Sequence, residues 1–315
     1  MPLRHWVMTT ASLSLLALGA ADGFAQPPAW VEERERSTLL DRRQIRTDRE
    51  GRPAALTRVD FQYGYIESRA VATADPRIAV SEPHAITLAL RAARLLAYEK
   101  LLEATSGVWL RSDSLLREEM VRKSALRARV VGTVNGARIV KEKYRFTPGG
   151  EVIAEVVVGL LIHGGGKKSL LAPVIQVAGA TGPALPKFRP PAPVAPAPPG
   201  KSYTSLIVDA SGKNARPALA PRIKTHPGKQ EVYGSEGVDK EVFLTSGLVG
   251  YASSVKKARA QKGRVGPNPL VLQAVAADGV QRTDLLITPA DATRLLQADL
   301  RGKFLRKCQV MFVLK

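Results

Sequence analysis

The chain has 315 residues, 45% of them hydrophobic and 24% charged, a globular balance whose length points to about two domains. Aromatic residues make up only 5%, so the cores must be built mainly from Val, Leu, Ala and Ile. A formal net charge of +19 points to anionic partners, and a single cysteine excludes an internal disulfide framework.

At the N-terminus, Arg4 and His5 precede an apolar run from Trp6 to Ala21. Gly23-Phe24-Ala25 then supplies the small residues that a signal peptidase reads. The run is too short for a comfortable membrane span, so residues 1–25 are expected to be a signal peptide cleaved near Ala25. The mature protein is then expected to be exported and soluble. Nucleic acid is therefore not expected as a partner. Residues 26–54 are densely charged and poor in apolar side chains, and read as a flexible arm.

A first domain is expected over residues 55–163. Ala55 to Val71 alternates as a strand interrupted near Gly64. Ser81-Glu82-Pro83 opens a helix whose apolar stripe (Ile86, Leu90, Ala93, Ala97, Leu101) runs to Ser106, with Gly107 ending it. Ser114 to Ala128 reads as a second helix. Arg129–Val134 and Ala137–Phe146 read as strands joined at Asn135-Gly136, and Val152–Ile162 as a third after Pro148-Gly149-Gly150.

Residues 164–201 read as a linker, rich in glycine at its start and in proline from Pro183 to Pro199. Its entrance, LLIHGGGKKSLL, has nearly the composition of a phosphate-binding loop. That loop needs GxxxxGK[ST] between a strand and a helix, so that backbone amides face the phosphate. Gly159 and Gly164 have the right separation, but Gly165 and Gly166 stand where the lysine and hydroxyl are required. The stretch is read as a domain boundary. A stiff spacer there would let two modules engage separate partners.

A second domain is expected over residues 202–315. Its predicted strands are Tyr203–Asp209, Leu270–Ala277, Thr283–Ile287 and Cys308–Leu314, with extended pieces at 217–223 and 232–234. Leu248–Ala260 and a Thr288-capped segment ending near Leu300 are the predicted helices. The expected class is α+β, two domains with helices on mainly antiparallel sheets joined by the Pro-rich linker.

The charge is uneven: Pro27–Gly165 carries 23 basic and 18 acidic residues, and Gly166–Lys315 carries 23 basic and 9 acidic. The densest basic run holds Lys256, Lys257, Arg259, Lys262 and Arg264, the candidate site for an anionic partner. His84, His163 and His226 are isolated, and no HExxH, Cys/His spacing or GxSxG is present. Asp209, Asp239 and Glu241 have no spacing that fixes them as a catalytic pair, and Asp209 precedes a Ser-Gly turn where Asp bonds its own backbone. No catalytic residue, metal ligand or cofactor site is assigned, and Cys308 in KCQVMFVLK is expected to be a small buried core residue.

Two segments carry a resemblance. AARLLAYEKLLEATSGVWLRSDS, followed by VVGTVNGARIVKEKYRFTPGGEVIAEVVVGL, is similar to a family of bacterial outer-membrane lipoproteins that includes the first domain of the flagellar assembly protein T and flagellar protein P. The likeness covers Arg58 to Leu161 and rests on apolar patterns: Ser106-Gly107-Val108, Val130–Val134 and Ile139–Tyr144. YTSLIVDASGKNARPALAPRI, GLVGYASSVKKARA and CQVMFVLK resemble a domain that follows the first type in exported proteins. The lipoproteins bear an acylated cysteine near the N-terminus that this chain lacks. What the resemblance implies is an envelope protein of the flagellar or secretion-associated kind, in the periplasm of a Gram-negative cell and associated with the outer membrane or in peripheral contact with a membrane. The expected role is a non-enzymatic scaffold or adaptor of a cell-envelope assembly, flagellum-associated, with envelope proteins as partners. The alternative is a binding module for anionic envelope glycan or lipopolysaccharide through the basic C-terminal domain.

Overall fold

The computed structural model describes residues 56–75, 77–178, 185–191 and 202–314. The signal-peptide and arm segments and much of the Pro-rich stretch lie outside the described residues. The α+β class holds, in two units.

The first unit begins with a hairpin, β1 (Leu56–Asp60) and β2 (Tyr65–Ala74). Asp60 accepts from the amides of Gln62 and Tyr63, and Gly64 adopts φ +66° to close the turn. Helix α1 (Glu82–Ser106) follows, its start capped by Ser81, which accepts from His84 N at 3.3 Å. Ala85, Ala89, Ala93 and Ala97 are completely buried, so a spine of methyl groups brings the helix backbone close to the sheet.

A small hairpin comes next, β3 (Trp109–Arg111) and β4 (Ser114–Leu115), then α2 (Leu116–Arg122) and α3 (Ser124–Asn135). This corrects the expected single helix over 114–128 and the expected strand over 129–134. The β-branched run VVGTV favours a strand locally, but Leu126, Val130 and Val134 recur every four residues and are all buried on one helical face. Asn135-Gly136 ends that helix, with Gly136 N donating to Gly132 O, and does not turn a hairpin.

Strands β5 (Arg138–Phe146) and β6 (Val152–Leu161) complete an antiparallel sheet in the order β1-β2-β6-β5. Helix α1 lies on its central strands, against Ile66 and Ala70 of β2 and Val152, Ala154, Val156 and Val158 of β6.

The expected linker starts later than Gly164. Gly166–Lys168 forms a 3-10 turn, and Leu171–Pro173 opens a helical stretch that runs on through Val174–Ala178. Leu170 N and Leu171 N donate to Leu161 O and Ile162 O, and Leu170, Leu171 and Val174 enter the core. The apolar content of LLAPVI draws it inward despite the glycines before it. Further on, Pro186–Phe188 is tied to the second unit: Glu231 N donates to Pro186 O, and Phe188 N to Glu231 O.

The second unit comprises β7 (Ser205–Asp209), β8 (Ile223–Thr225), β9 (Glu231–Tyr233), α4 (Lys240–Ser246), β10 (Gly250–Ala252), α5 (Val255–Ala260), α6 (Lys262–Val265), β11 (Pro269–Gln273), β12 (Ala276–Asp278), β13 (Asp284–Ile287), α7 (Pro289–Gly302) and β14 (Val310–Val313). One sheet, β10-β14-β7-β11, is parallel throughout, which corrects the antiparallel expectation. Its central strands SLIVD and VMFV are apolar runs buried on both faces, as a covered parallel sheet requires. A mixed sheet, β12-β13-β8-β9, stands beside it. The run expected as one strand over 270–277 divides between the two sheets at Ala274. The expected helix over 248–260 starts only at Val255, because Gly250–Ala252 pairs with β14 and Ser254 caps the helix by accepting from Lys257 N.

The described parts of the two units are in direct contact. One cluster of buried apolar residues runs from Ile66 and Leu110 through to Leu285 and Phe312. The β3–β4 hairpin reaches across: Leu219 N and Ala220 N donate to Trp109 O and Leu110 O, and Ser112 Oγ donates to Asp284. Phe61 meets the edge of Tyr251 at 5.6 Å between ring centroids. The two units thus meet through a shared interior, while most of the proline-rich segment lies outside the described residues.

Candidate anion-binding surface

The five cations singled out from sequence do not form one patch. Ser254 starts α5 and Ala258 anchors it, fully buried, against the parallel sheet with Ile207, Val265 and Met311. That orientation leaves Lys256, Lys257 and Arg259 exposed, and Lys262 follows them at the start of α6. Arg264 is different. Two residues beyond Lys262, it lies on the opposite side of the helical turn and points inward. Its Nη1 donates to Cys308 O at 2.6 Å, and its stem crosses Gly250, where a Cβ would sit 3.0 Å from Cδ. Burial lowers its pKa, and the nearby Tyr233 hydroxyl and Cys308 thiol act against that shift. Arg264 is a strut between α6 and the start of β14.

Arg259 and Lys262 flank an open cleft of about 370 Å³ whose other walls are Gly266, Pro267 and Pro269. Those walls are pinned. Thr204 Oγ1 donates to Val265 O at 2.7 Å and accepts from Asn268 N, and the position of Gly266 calls for glycine twice over: its φ is +67°, and a Cβ would strike Thr204 at 2.8 Å. The cleft therefore presents two exposed cationic side chains beside a pinned loop, with Lys256 and Lys257 exposed on α5. Positive charge beside an open cleft is the electrostatic pattern that suits an anionic ligand.

Other cations of this basic half are held in ion pairs, which the sequence total conceals. Lys224 Nζ lies 2.6 Å from Asp284 and 3.0 Å from Asp278, and Lys229 binds the second oxygen of Asp278. Burial would lower the Lys224 pKa, but Asp284 and Asp278 outweigh it and hold the ammonium above its ordinary range. Arg222 and Lys187 both bind the buried Glu231, and Lys187 also reaches Glu236 at 3.1 Å. The buried Lys224, Arg222, Glu231 and Asp284 are each paired, the condition for tolerating a buried charge.

Two of the three carboxylates considered for catalysis, Asp209 and Asp239, have structural work. Asp209 accepts from the amide and hydroxyl of Ser211, and burial, which would raise its pKa, loses to those bonds. Asp239 caps α4 through the amides of Glu241 and Val242. Cys308 is buried, and that burial pushes its thiol up to about 11. Among the described residues no group of three or more His, Cys, Asp and Glu stands where it could hold a metal ion, and no helix is long and apolar enough to cross a membrane.

His163 is the site residue that sequence reasoning passed over. At the end of β6 it packs against Gly64 and Gly247, one from each unit. Burial, with Arg264 nearby, brings its pKa down to about 4, and only its bond to the Thr245 backbone acts the other way. It borders a cavity of about 10 Å³ shared with Phe61, Leu171, Leu219 and Tyr251, room for one water at most. The signal was the lone imidazole between an apolar strand and glycines.

The fold defines a class: a two-unit α+β protein with an antiparallel first sheet and a parallel-sheet second unit. Residues 205–315, the whole of that second unit from β7 onward, match the family model of the second domain of Treponema pallidum Tp0624. No curated protein matches the chain.

Proposed function

We propose that this protein is a non-enzymatic scaffold or adaptor of a bacterial cell-envelope assembly, acting in the periplasm and associated with flagellar structures. The observation that carries this reading is the shared core between the units. It joins the outer surfaces of both units in one packed body, which suits a scaffold. The likeness of residues 58–161 to the lipoprotein and flagellar assembly protein T family supports an envelope partner. The signal-like residues 1–25 support export. Sedimentation of the full chain with large envelope complexes at high salt is the expected result. Recovery of the chain as a free periplasmic protein at every salt concentration would overturn the reading.

One observation favours a second reading, a binding module for anionic glycan or lipopolysaccharide: the cleft walled by Arg259 and Lys262. Under it, pull-down with peptidoglycan or lipopolysaccharide is salt-sensitive. Reversing Lys256, Lys257 and Arg259 to Glu should then weaken capture by an order of magnitude or more, since each contact charge contributes to the salt-dependent attraction. Capture that survives the triple reversal excludes this surface.

A further inference from the structure

Strand β5 is the outermost strand of its sheet, and among the described residues it pairs only with β6. Seven of its nine residues are exposed, so its outer backbone edge is open to a partner. The ladder with β6 carries a bulge. Ile139 pairs with Val158 and Lys141 with Val157, which leaves Val140 as the extra residue.

That one extra residue sorts the strand. Beyond it, Lys141, Lys143 and Arg145 register with Val157, Glu155 and Ile153, and before it Arg138 registers with Gly159. All four cations therefore share the sheet face turned away from α1. Glu142, Tyr144 and Phe146 register with the buried Val156, Ala154 and Val152 on the α1 side, where Glu142 meets Arg94. Without the bulge, Arg138 would lie on the face of Glu142, Tyr144 and Phe146. From Lys141 to Arg145 the cations recur about every 7 Å, two residues of strand. On the opposite face Tyr144 and Phe146 are half exposed and meet edge to face at 6.1 Å.

We propose that the open edge of β5 is a strand-addition site for an extended acidic segment of a partner protein. Its Asp or Glu side chains, at alternate positions, lie opposite Arg138, Lys143 and Arg145, and the apolar side chains between them lie against Tyr144 and Phe146. Strand addition supplies main-chain hydrogen bonds, and alternate side chains supply the selectivity. A second copy of β5 is the wrong occupant, because it brings cations against cations on one face. A linear polysaccharide would use the charges but neither the backbone edge nor the aromatic pair.

The test uses the full chain and a short fluorescent peptide alternating Glu with Val and Thr, read by anisotropy and by hydrogen exchange of β5 amides. The alternating peptide should bind about tenfold tighter than a block isomer of the same composition, and K143E/R145E should weaken it by about as much, two cross-strand charge pairs being inverted. A peptide with Lys in place of Glu should recover affinity for that variant. N-methylation of alternate peptide nitrogens should abolish binding, and the β5 amides should gain protection in the complex. Equal binding of the block isomer, retained binding of the N-methylated peptide, polygalacturonate binding as tightly as the alternating peptide, or unchanged β5 exchange would each overturn the proposal.

Discussion

The ring of His163 fills the space that side chains at Gly64 and Gly247 would need: a Cβ on the first would fall 2.4 Å from Nε2, and on the second 3.0 Å from Cδ2. With a folded pKa near 4 it is neutral in the native protein, while an unfolded imidazole takes up its proton below about 6.5. The unfolded state therefore binds more protons in that window. The contribution is complete above pH 6.5 and is lost as pH falls toward 4. Between pH 6.5 and 5 the unfolding free energy should drop by about 2 kcal/mol through this residue, and H163Q should flatten that part of the curve in urea titrations. Legibility at this scale was uneven. The isolation of His163 was visible in the sequence, and so was the turn role of Asp209. The inward course of Arg264 was not, because charge type carries no direction and its helix is only four residues long.

At the scale of elements, α1 depends on its alanines. Ala93 has no exposed surface and faces β2 and β6 from the middle of the spine. A93L would force side chain into filled space and should cost about 1–3 kcal/mol, lowering the thermal midpoint, whereas A92L on the exposed side should be neutral within about 0.5 kcal/mol. Helices α1 and α7 and strands β5 and β6 were readable in advance, since each combines a strong period with a cap or turn at its ends. Helix α3 and strand β10 were not. Their local preferences point the other way, and packing against distant residues decides them. The bulge in β5 was equally hidden, because KEKYR alternates whether or not an extra residue precedes it.

For the whole molecule, the interface between units governs behaviour. Leu110, fully buried in the middle of β3, sits in the common core while its carbonyl accepts from Ala220 N. L110A should destabilise the protein by about 2–5 kcal/mol, the range for removing a large buried aliphatic side chain. Calorimetry of the native chain should show one transition for both units, and the substitution should shift it without splitting it. Two resolved transitions in the native chain would mean that the units fold independently.

The hydrogen bonds from Leu219 and Ala220 to Trp109 and Leu110 also bear on where such a protein can be cut. The family match begins at Ser205, yet a fragment starting there would leave both amides without acceptors and uncover Tyr251 where Phe61 now covers it. It would also strip Lys187 from the buried Glu231, leaving Arg222 as that carboxylate's cation. The inherited boundary and the physical one are thus different lines. A chain that carries this second unit behind some other first domain must bring its own hairpin and its own cation to close it, or expose a sticky seam.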